Sequence, residues 1–447
     1  MRIILPSDVF PPTGKGGAAW SSHTLARALI AHGHTVTALT PVEGRRGSAR
    51  GVALGVPLVE VGYRAPRLPL VRNYFRHEAL WPRLARVIVA EAQGSPPVTL
   101  IHAQHVQVAP AAVLAGRVLR APVAVTVRDH WPWHYFATGL HGDRLPYDRP
   151  GWPGLLTDLL ARLGPLGGLA ALPALPYMLA HMRRRAAFLA RAEAVIAVSA
   201  YIARRLAPLV PPERLHVLPN MVDLEATRAS AAPPPATTWE GALLLFVGKL
   251  EPNKGAGLLP AIFRALRARA SSETLPPFTL VLAGAGALRT ELERELRALA
   301  VPARFLDWAD HDEVLRLMAR CDVLLFPSSW GEPLSRVLLE AACLGAPILA
   351  MPTGGTPDIV RDGHTGVLAA TPTTFAARLA ALLADPAERR RLGAGARAAA
   401  AQQFAVEAVL PRYEALYAAL RDSLPPPRSE GEYLPYPRSG GRSLRPW

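Results

Sequence analysis

Lysine, cysteine and long apolar segments are all scarce in this sequence of 447 residues, and each scarcity excludes a class of protein. Cys321 and Cys343, the two cysteines, lie in apolar stretches with no histidine at ligand spacing, which argues against a disulfide scaffold and a zinc site. Every apolar run is interrupted by proline or glycine before it could span a bilayer, and the apolar N-terminus is too short for a signal peptide. We therefore expect a protein of a reducing compartment, the cytoplasm.

The three lysines all lie in or beside glycine turns, whereas every other basic residue is arginine. Lys15 precedes a pair of glycines, Lys249 follows a glycine, and Lys254 precedes one. A GC-rich coding bias explains the scarcity of lysine but not this placement. A glycine turn exposes backbone N–H groups, and a neighbouring ammonium is a compact point charge, which together suit phosphate oxygens. The sequence therefore predicts an anionic ligand held from more than one side.

The charge balance also favours acidic partners. The formal net charge is +15 at pH 7, which favours phosphorylated substrates, an anionic membrane surface or nucleic acid. Nucleic acid is the least favoured, because the arginines are scattered through helical stretches and the sequence contains no recognisable nucleic-acid module.

Short apolar runs alternate with helical stretches along most of the chain, which is typical of βαβ units and parallel sheets. The predicted strands lie at residues 3–5, 36–39, 98–102, 123–127 and 194–198, and again at 243–247, 279–283, 323–327 and 348–350. A chain of this length exceeds what one hydrophobic core usually serves. The predicted fold class is α/β, with two Rossmann-like, doubly wound domains that face each other across a ligand-binding cleft.

The domain boundaries follow from this alternation. Residues 1–205 are predicted to form the first domain, with an insertion at about 140–185, and residues 206–403 the second. A proline-rich, unstructured linker is predicted at about 224–240. Residues 404–422 are predicted to form a helix that returns to the first domain, and residues 423–447 a disordered tail rich in Pro, Gly, Ser and Arg.

The strongest local pattern surrounds two glutamates, Glu332 and Glu340. A strand is predicted to end just before Glu332, and Pro333 is favourable at a first helical position. The free backbone N–H groups at the start of that helix would point into the cleft and favour an anion; they belong to Leu334, Ser335 and Arg336. Glu340 lies about two turns further on, so the glutamates suit two different sets of hydroxyls. The alternative is a capping glutamate followed by a helix-surface glutamate.

These motifs resemble those of retaining glycosyltransferases of family four, which have the GT-B fold. The pattern Pro-Ser-x-Trp precedes the two glutamates, and Glu-Ala-x-x-x-Gly-x-Pro begins at the second of them. Further matching segments lie at residues 16–17, 219–223, 246–255, 354–358 and 363–366. The resemblance covers nearly the whole chain.

The resemblance implies a role for each matching residue. Lys249 and Lys254 would hold the donor diphosphate, and the glycines Gly16 and Gly17 would let the backbone of the first domain approach it. Glu340 would bind the nucleotide ribose. The residues expected to orient or contact the donor sugar are Glu332, the amides of Leu334, Ser335 and Arg336, and the pair Asp129 and His130.

Family resemblance further implies an enzyme that moves a sugar from a nucleotide-diphosphate sugar to an acceptor hydroxyl with retention of anomeric configuration. The first domain would bind the acceptor, a glycan or lipid-linked glycan. No residue stands out as a covalent nucleophile, so a same-face displacement is expected. No cofactor and no metal are expected.

Four positions depart from the family pattern. Lys249 stands where arginine is more frequent, Ser335 where glycine is common, and Asp358 where glutamate is usual. Arg128 stands where relatives often carry a histidine of the active site. Two interpretations stay open for Lys15, namely contact with the donor and a solvated loop lysine.

Asp310-His311-Asp312 has the form of the acidic pair with which many other glycosyltransferases hold a divalent cation. Glu313 follows Asp310 by three residues at the start of an amphipathic helix, which is a capping pattern. We favour the cap.

The apolar segment 155–182 is broken by prolines and glycines and runs into Arg183-Arg184-Arg185. One interpretation is a domain insertion made of short helices. The other is an interfacial patch over residues 155–185 that contacts anionic lipid on the cytoplasmic face of a membrane.

Two other functions are alternatives for this sequence. A non-catalytic nucleotide-sugar binding protein could use the same fold. An NAD(P)-dependent oxidoreductase is suggested by Gly284-Ala285-Gly286, but it requires a glycine fingerprint directly after the first strand, where this chain has Pro11-Pro12-Thr13.

Overall fold

The computed structural model describes residues 1–12, 16–68, 71–94, 96–142, 145–146, 149–270 and 275–423. Lys15 and residues 424–447 of the predicted tail lie outside the described residues. The chain forms two α/β domains, each built on a sheet of mainly parallel strands, which confirms the predicted fold class.

Sixteen strands are described. The first domain contains β1 (Arg2–Pro6), β2 (Thr35–Glu43), β3 (Ser48–Ala53), β4 (Val56–Tyr63), β5 (Leu100–Gln104), β6 (Val123–Val127), β7 (Leu140–His141), β8 (Leu145–Pro146), β9 (Ala194–Ala197) and β10 (Leu215–Val217). The second contains β11 (Ala242–Val247), β12 (Phe278–Ala283), β13 (Ala303–Phe305), β14 (Val323–Phe326), β15 (Ile348–Ala350) and β16 (Val367–Leu368).

Sixteen α-helices connect and cover these strands in the described part of the chain. In the first domain they are α1 (Gly17–Ala31), α2 (Val71–Arg76), α3 (Trp81–Ala92), α4 (Ala109–Leu119), α5 (Gly151–Ala170), α6 (Leu175–Leu189) and α7 (Ala200–Leu206). They continue with α8 (Leu224–Ala231), α9 (Leu259–Ala270), α10 (Arg289–Ala298), α11 (His311–Met318), α12 (Arg336–Leu344), α13 (Thr356–Ile359), α14 (Pro372–Ala384), α15 (Pro386–Gln403) and α16 (Val406–Asp422).

Both sheets have the doubly wound strand order. The first runs β10-β9-β6-β5-β1-β2-β4-β3, with only β3 antiparallel to its neighbour, and the second runs β13-β12-β11-β14-β15-β16, all parallel. The order reverses between β1 and β5 in the first sheet and between β11 and β14 in the second. Ligands of such sheets bind outside the carboxyl ends of the strands at this reversal.

Strand β11 shows why these apolar runs become central strands. Leu243 and Leu245 pack into one hydrophobic cluster, whereas Leu244 and Phe246 pack into another on the opposite face. Successive side chains of a strand point to opposite faces, so a continuous apolar run is needed where helices cover both faces.

The chain crosses between the domains twice, and the two crossings touch. Val222 forms a parallel bridge with Ala405, its N–H donates to Phe404 O at 2.8 Å, and Val406 N–H donates to Val222 O at 3.2 Å. After the second crossing α16 packs on the first domain, where the Tyr417 hydroxyl lies 2.6 Å from Nδ1 of the buried His102.

The expectation of an unstructured linker is wrong for its first part. Residues 224–231 form the helix α8, because the Asp223 carboxylate accepts a hydrogen bond from Ala226 N–H at 2.9 Å and caps its first turn. The prolines that suggested a stiff connection lie after this helix.

Among the described residues no single helix is long and apolar enough to span a membrane. Taken together, α5 and residues 172–189 have the length and apolar composition of a membrane span, but the two parts are bent by 99° relative to each other.

Candidate active site

The candidate site lies where the two sheets reverse their strand order. Asp8 follows β1 and His105 follows β5 in the first domain. Lys249 follows β11, and the loop that carries Glu332 follows β14 in the second. The fold therefore brings the charged residues after four strands to the two crevices that face the cleft.

Lys254 is positioned by a glycine that no other residue could replace without a shift. Gly255 has a φ of 72°, and a Cβ placed there would lie 1.7 Å from Pro327 O. The turn of Lys254 thus packs directly against the end of β14. Its ammonium forms an ion pair with Glu332 and lies 4.3 Å from the ring centroid of Trp330.

Lys249 differs from Lys254 in exposure. Its side chain is exposed, and it follows Gly248, which has a φ of 150°. Strands β11 and β14 are hydrogen-bonded neighbours, so Lys249 and the Glu332 loop leave the sheet side by side.

The Glu332 loop is fixed by both domains. Within the second domain, Gly355 N–H donates to Glu332 O at 2.6 Å. Across the cleft, the Trp330 indole N–H donates to Thr138 O, and Nε2 of His130 lies 2.9 Å from Gly331 O. Glu332 is buried, so its carboxylate faces Lys254 in an enclosed setting.

The helix after Glu332 begins later than predicted. We expected it to start at Pro333, but α12 begins at Arg336 with Ser335 as its N-cap. The backbone N–H groups of residues 334–336 donate no hydrogen bond to another described residue. They remain available to an anion at the positive end of the helix dipole.

Glu340 is buried and paired with Arg336 and His311. Its carboxylate accepts from Arg336 Nε at 2.6 Å and lies 3.0 Å from His311 Nε2. Burial alone would raise the pKa of Glu340, but the charges of Arg336 and His311 hold it below its usual range. The two glutamates therefore have separate partners, as their spacing predicted.

The glycine pair of the first domain lies opposite α12. A Cβ placed on Gly17 would lie 3.3 Å from Arg336 Cβ, so a side chain at this position would require the two helices to separate by a few tenths of an ångström. Arg336 Nη1 reaches Thr24 Oγ1 at 3.4 Å, and the Trp20 ring stacks on His311 with centroids 5.5 Å apart. Two helix N-termini from different domains thus converge, since Gly16 is the N-cap of α1.

Asp129 takes part in a charge cluster that the sequence did not reveal. His105 lies between two carboxylates, with Nδ1 3.1 Å from Asp8 and Nε2 2.7 Å from Asp129. Burial alone would lower the pKa of His105, but Asp129 and Asp8 raise it to about 10. The pKa of Asp129 is lowered, because the charge of His105 outweighs the opposing effect of burial. His105 is therefore an imidazolium that fixes Asp129.

A positional signal for His105 and Asp8 existed in the sequence. His105 follows β5 directly and Asp8 follows β1 after one residue, at the carboxyl ends of the strands where ligands bind, but neither belongs to a motif. His105 also has a φ of 108°, a left-handed conformation that is uncommon outside glycine.

His130 faces the loop of Glu332 rather than Asp129. Because Gly331 O can only accept, Nε2 of His130 carries the proton and donates to it. Burial lowers the pKa of His130 to about 4, so the ring is neutral near pH 7.

Arg128, at the position where relatives often carry a histidine, is buried and turned toward the domain junction. Its Nε donates to Asn220 Oδ1 at 2.9 Å, and burial lowers its pKa to about 10. Asp358, which replaces a glutamate, accepts from Ala200 N–H at 2.6 Å and so connects the domains.

The capping prediction for Asp310 is wrong. Asp310 stands at the N-cap of α11 but makes no capping hydrogen bond. His311 binds Glu340 instead, and Glu313 accepts from the backbone N–H groups of residues 236 and 237 at 3.0 Å. His311 and Glu313 therefore connect α11 to α12 and to residues 236–237.

A cluster of His134, His141 and Asp158 has the composition of a metal site, but its side chains are held together by hydrogen bonds. Gly139 N–H donates to Nδ1 of His134 at 2.9 Å, so the proton of this ring lies on Nε2, which faces Asp158 at 2.9 Å. Asp158 also lies 3.1 Å from His141 Nδ1 and accepts from Gly142 N–H at 2.9 Å. A protonated nitrogen cannot ligate a metal, so the cluster connects the loop of residues 129–142 to α5.

Two family models match the chain in succession. The model described as Glycosyltransferase Family 4 matches residues 15–226, and the model described as Glycosyl transferases group 1 matches residues 235–399. The boundary between the two matches falls just after the first crossing between the domains.

Curated relatives match over part of their length. A glycogen synthase from Mycobacterium tuberculosis is 34% identical over 199 residues, which cover 44% of this chain and 45% of that protein. A D-inositol 3-phosphate glycosyltransferase from Jonesia denitrificans is 32% identical over 213 residues, covering 43% of this chain and 48% of the relative. The chain thus spans about half the length of the curated relatives it matches.

Among solved structures, Anabaena Alr3699/HepE in complex with UDP aligns with a TM-score of 0.63 and 17% identity. The alignment covers 94% of this chain and 100% of that one. At this identity the likeness shows a shared fold.

Proposed function

The chain belongs to the group 1 and family 4 glycosyltransferases with the GT-B fold, and from this premise we propose that it transfers a sugar from a nucleotide-diphosphate sugar to an acceptor hydroxyl. The proposal includes retention of the anomeric configuration. Its main support is the convergence of the N-termini of α1 and α12 from opposite domains at Gly17 and Arg336. Backbone N–H groups at two helix N-termini suit a diphosphate.

In the proposed reaction the bond between the anomeric carbon and the diphosphate oxygen breaks while the acceptor oxygen bonds to the same face of that carbon. The acceptor proton passes to the departing phosphate oxygen, so the step needs no nucleophile from the protein. Lys254, Lys249 and the amides that begin α12 stabilise the negative charge that develops on the leaving group.

The carboxylates receive separate roles in this proposal. Glu332 binds hydroxyls of the donor sugar, and Glu340 binds the ribose of the nucleotide. Asp129, fixed by His105, and His130 act from the opposite side of the sugar. His130 is neutral near pH 7 and its one N–H donates to Gly331 O, so towards a hydroxyl of the sugar it can only accept, through Nδ1.

We assign the neutralisation of the diphosphate to these lysines rather than to a divalent cation. Addition of EDTA to the assay is therefore expected to leave turnover unchanged. A loss of turnover that Mg²⁺ or Mn²⁺ restores would overturn this part of the proposal.

The proposed acceptor is a glycan or lipid-linked glycan bound by the first domain, in glycan or glycolipid biosynthesis in the cytoplasm. Two buried, unpaired thiols are compatible with that compartment. Burial raises the pKa of Cys343 to about 11 and so keeps its thiol protonated.

The test is a panel of UDP-, GDP-, ADP- and TDP-sugars, measured by thermal shift and by release of nucleoside diphosphate. UDP-glucose is the first donor to test, because the Anabaena relative was solved in complex with it. We expect one donor to raise the melting temperature and to be turned over. A donor that raises the melting temperature but is never cleaved, with any acceptor or with water, would identify a binding protein instead.

A further inference from the structure

Exposed apolar side chains concentrate on one protrusion of the first domain. Among the described residues 16 large hydrophobic side chains are exposed, and six of them lie on α5 and the turn after it: Trp152, Leu160, Leu163, Leu166, Leu169 and Leu172. We call residues 151–189 the apolar hairpin. Scattered exposed leucines are common in soluble proteins, whereas such a concentration marks an interaction surface.

The exposure has a defined apex. The exposed fraction rises along every third residue and then falls again: 36% at Leu160, 53% at Leu163, 85% at Leu166, 55% at Leu169 and 37% at Leu172. Gly164 has a non-helical φ of 73° at the middle of this run, and Pro165 follows it. The kink lies just before Leu166 in the chain.

The hairpin does not need these leucines for its own packing. Its buried Leu155, Leu159 and Met178 form a small separate cluster with Tyr135 of the neighbouring loop, and Leu189 at its end packs into the large hydrophobic cluster. The exposed leucines therefore contribute little to the stability of the described fold.

Charge around the apex has one sign. No residue between Arg162 and Arg183 is Asp, Glu, Lys or Arg, so an uncharged tip is bounded by basic residues. Among the described residues near the hairpin the acids are Asp158, which is buried, and Glu78, which is half-buried; each faces a histidine and also an arginine, Arg162 at 3.7 Å from Asp158 and Arg184 at 3.5 Å from Glu78. Arg183 is exposed and forms no ion pair with a described acid, so the described base of the tip keeps an excess of positive charge.

A second group of exposed apolar side chains adjoins the hairpin. Leu68, Val71, Tyr74 and Phe75 are exposed on and just before α2, which buries no residue. This element is tied to the hairpin region, since Asn73 donates to the Tyr135 hydroxyl at 2.9 Å. Arg64 and Arg67 precede this group and are exposed.

We propose that the apolar hairpin inserts its tip, centred on Leu166, into the interface of an anionic lipid bilayer. An uncharged apolar tip with basic residues at its base complements acyl chains below anionic head groups. The overall charge of +15 adds long-range attraction. The inference goes beyond the sugar transfer proposed above and does not depend on it.

The experiment measures sedimentation of the full chain with vesicles of neutral phosphatidylcholine and of equal parts phosphatidylcholine and phosphatidylglycerol. We expect binding to the anionic vesicles that weakens with salt, and much weaker binding to the neutral ones. Leu166→Glu is expected to lower the partition coefficient by at least about tenfold. Its exposure means that the fold should be retained, which circular dichroism checks.

Val52→Glu is the matched control, because Val52 is 73% exposed on β3 and the substitution adds the same charge. It should leave vesicle binding within about twofold of the wild type, since it lies outside the hairpin. Equal losses in both variants would show that only net charge matters and would overturn the proposal. Unchanged binding of Leu166→Glu would also overturn it.

Sedimentation velocity without lipid tests whether the tip binds a second copy of the chain instead of a membrane. If the wild-type protein is a dimer that Leu166→Glu converts to a monomer, the tip is covered by a second copy and the membrane proposal is wrong. Neither experiment uses donor or acceptor, so failure of vesicle binding and failure of sugar transfer can be told apart.

Discussion

The two sheets turn their carboxyl ends to one cleft, but they arrange charge in different ways. In the first domain the charged groups satisfy one another, since His105 lies between Asp8 and Asp129. In the second, Lys254 and Arg336 also pair with carboxylates, yet they stand beside helix N-terminal amides that donate to no other described residue. The first side is built to hold groups in place, and the second can offer positive charge to a phosphate.

The largest effect should come from removing charge on the phosphate side. Lys254→Ala is expected to lower kcat by about 100-fold, because a preorganised group that stabilises charge in the transition state is lost. Nucleoside diphosphate release measures this. Arg390→Ala, an exposed arginine of α15, is the matched control and should be neutral. Full turnover by Lys254→Ala would remove the contrast between the two sides.

A second prediction concerns the first domain, where His105 lies between Asp8 and Asp129. The pKa of His105 is raised from 6.5 to about 10 in the folded protein, so the folded state binds this proton more tightly than the unfolded chain. Its stabilisation is complete below pH 6.5 and is lost as the pH rises towards 10. His105→Gln should therefore lower the free energy of unfolding by about 2–3 kcal/mol at pH 6 and by less at pH 9.5.

Urea unfolding of the wild type and the variant at both pH values measures the difference. Groups that do not interact with His105 cancel in this comparison. A destabilisation that is the same at both pH values would mean that His105 is not charged between its two carboxylates.

The third prediction returns to the donor side. Glu340→Gln should weaken donor binding by about tenfold, or about 1.4 kcal/mol, with a smaller change in kcat, because an amide binds ribose hydroxyls and Arg336 less strongly than a carboxylate. Calorimetric titration of the donor measures this. Glu225→Gln, exposed on α8, is the control. If Glu340→Gln lowers kcat and leaves donor affinity unchanged, Glu340 does not bind the ribose.

The smallest effect is expected where the two sides meet. Gly17→Ala places a methyl group 3.3 Å from Arg336 Cβ, so the helices must separate by a few tenths of an ångström. We expect kcat/KM for the donor to fall about threefold, less than 1 kcal/mol. Gly51→Ala, whose added Cβ would meet nothing within 4 Å, should have no effect. Identical kinetics in both variants would show that the approach of α1 to α12 does not matter.

The contrast also explains what the sequence could and could not predict. Periodicity predicts the central strands of both sheets, because their apolar runs are covered on both faces, but it misses β3, β4, β10, β13 and β16, which lie at or next to the sheet edges. Lys254, Glu332 and Glu340 belong to contiguous motifs and could be found from the residues alone. His105 and Asp8 could not, because they become partners only when β1 and β5 pair across about a hundred residues of chain.

Two predictions from the sequence, the start of α12 and the cap of α11, were wrong for similar physical reasons. Pro333 suggested an early helix start, but Gly355 N–H binds Glu332 O and keeps that segment in a loop. Asp310 and Glu313 match the sequence pattern of a helix cap. In the structure, however, His311 binds Glu340, and Glu313 accepts a hydrogen bond from Ala236 N–H. Local propensity yields where distant backbone supplies a competing partner.

The paired crossings at Val222 and Ala405 have a consequence for motion. Because both connections between the domains are hydrogen-bonded to each other at one place, they act as a single hinge, and any opening of the cleft must turn about it. The contacts between the domains across the cleft, such as His130 with Gly331 and Thr138 with Trp330, then act as a latch. Release of product requires the latch to break while the hinge holds.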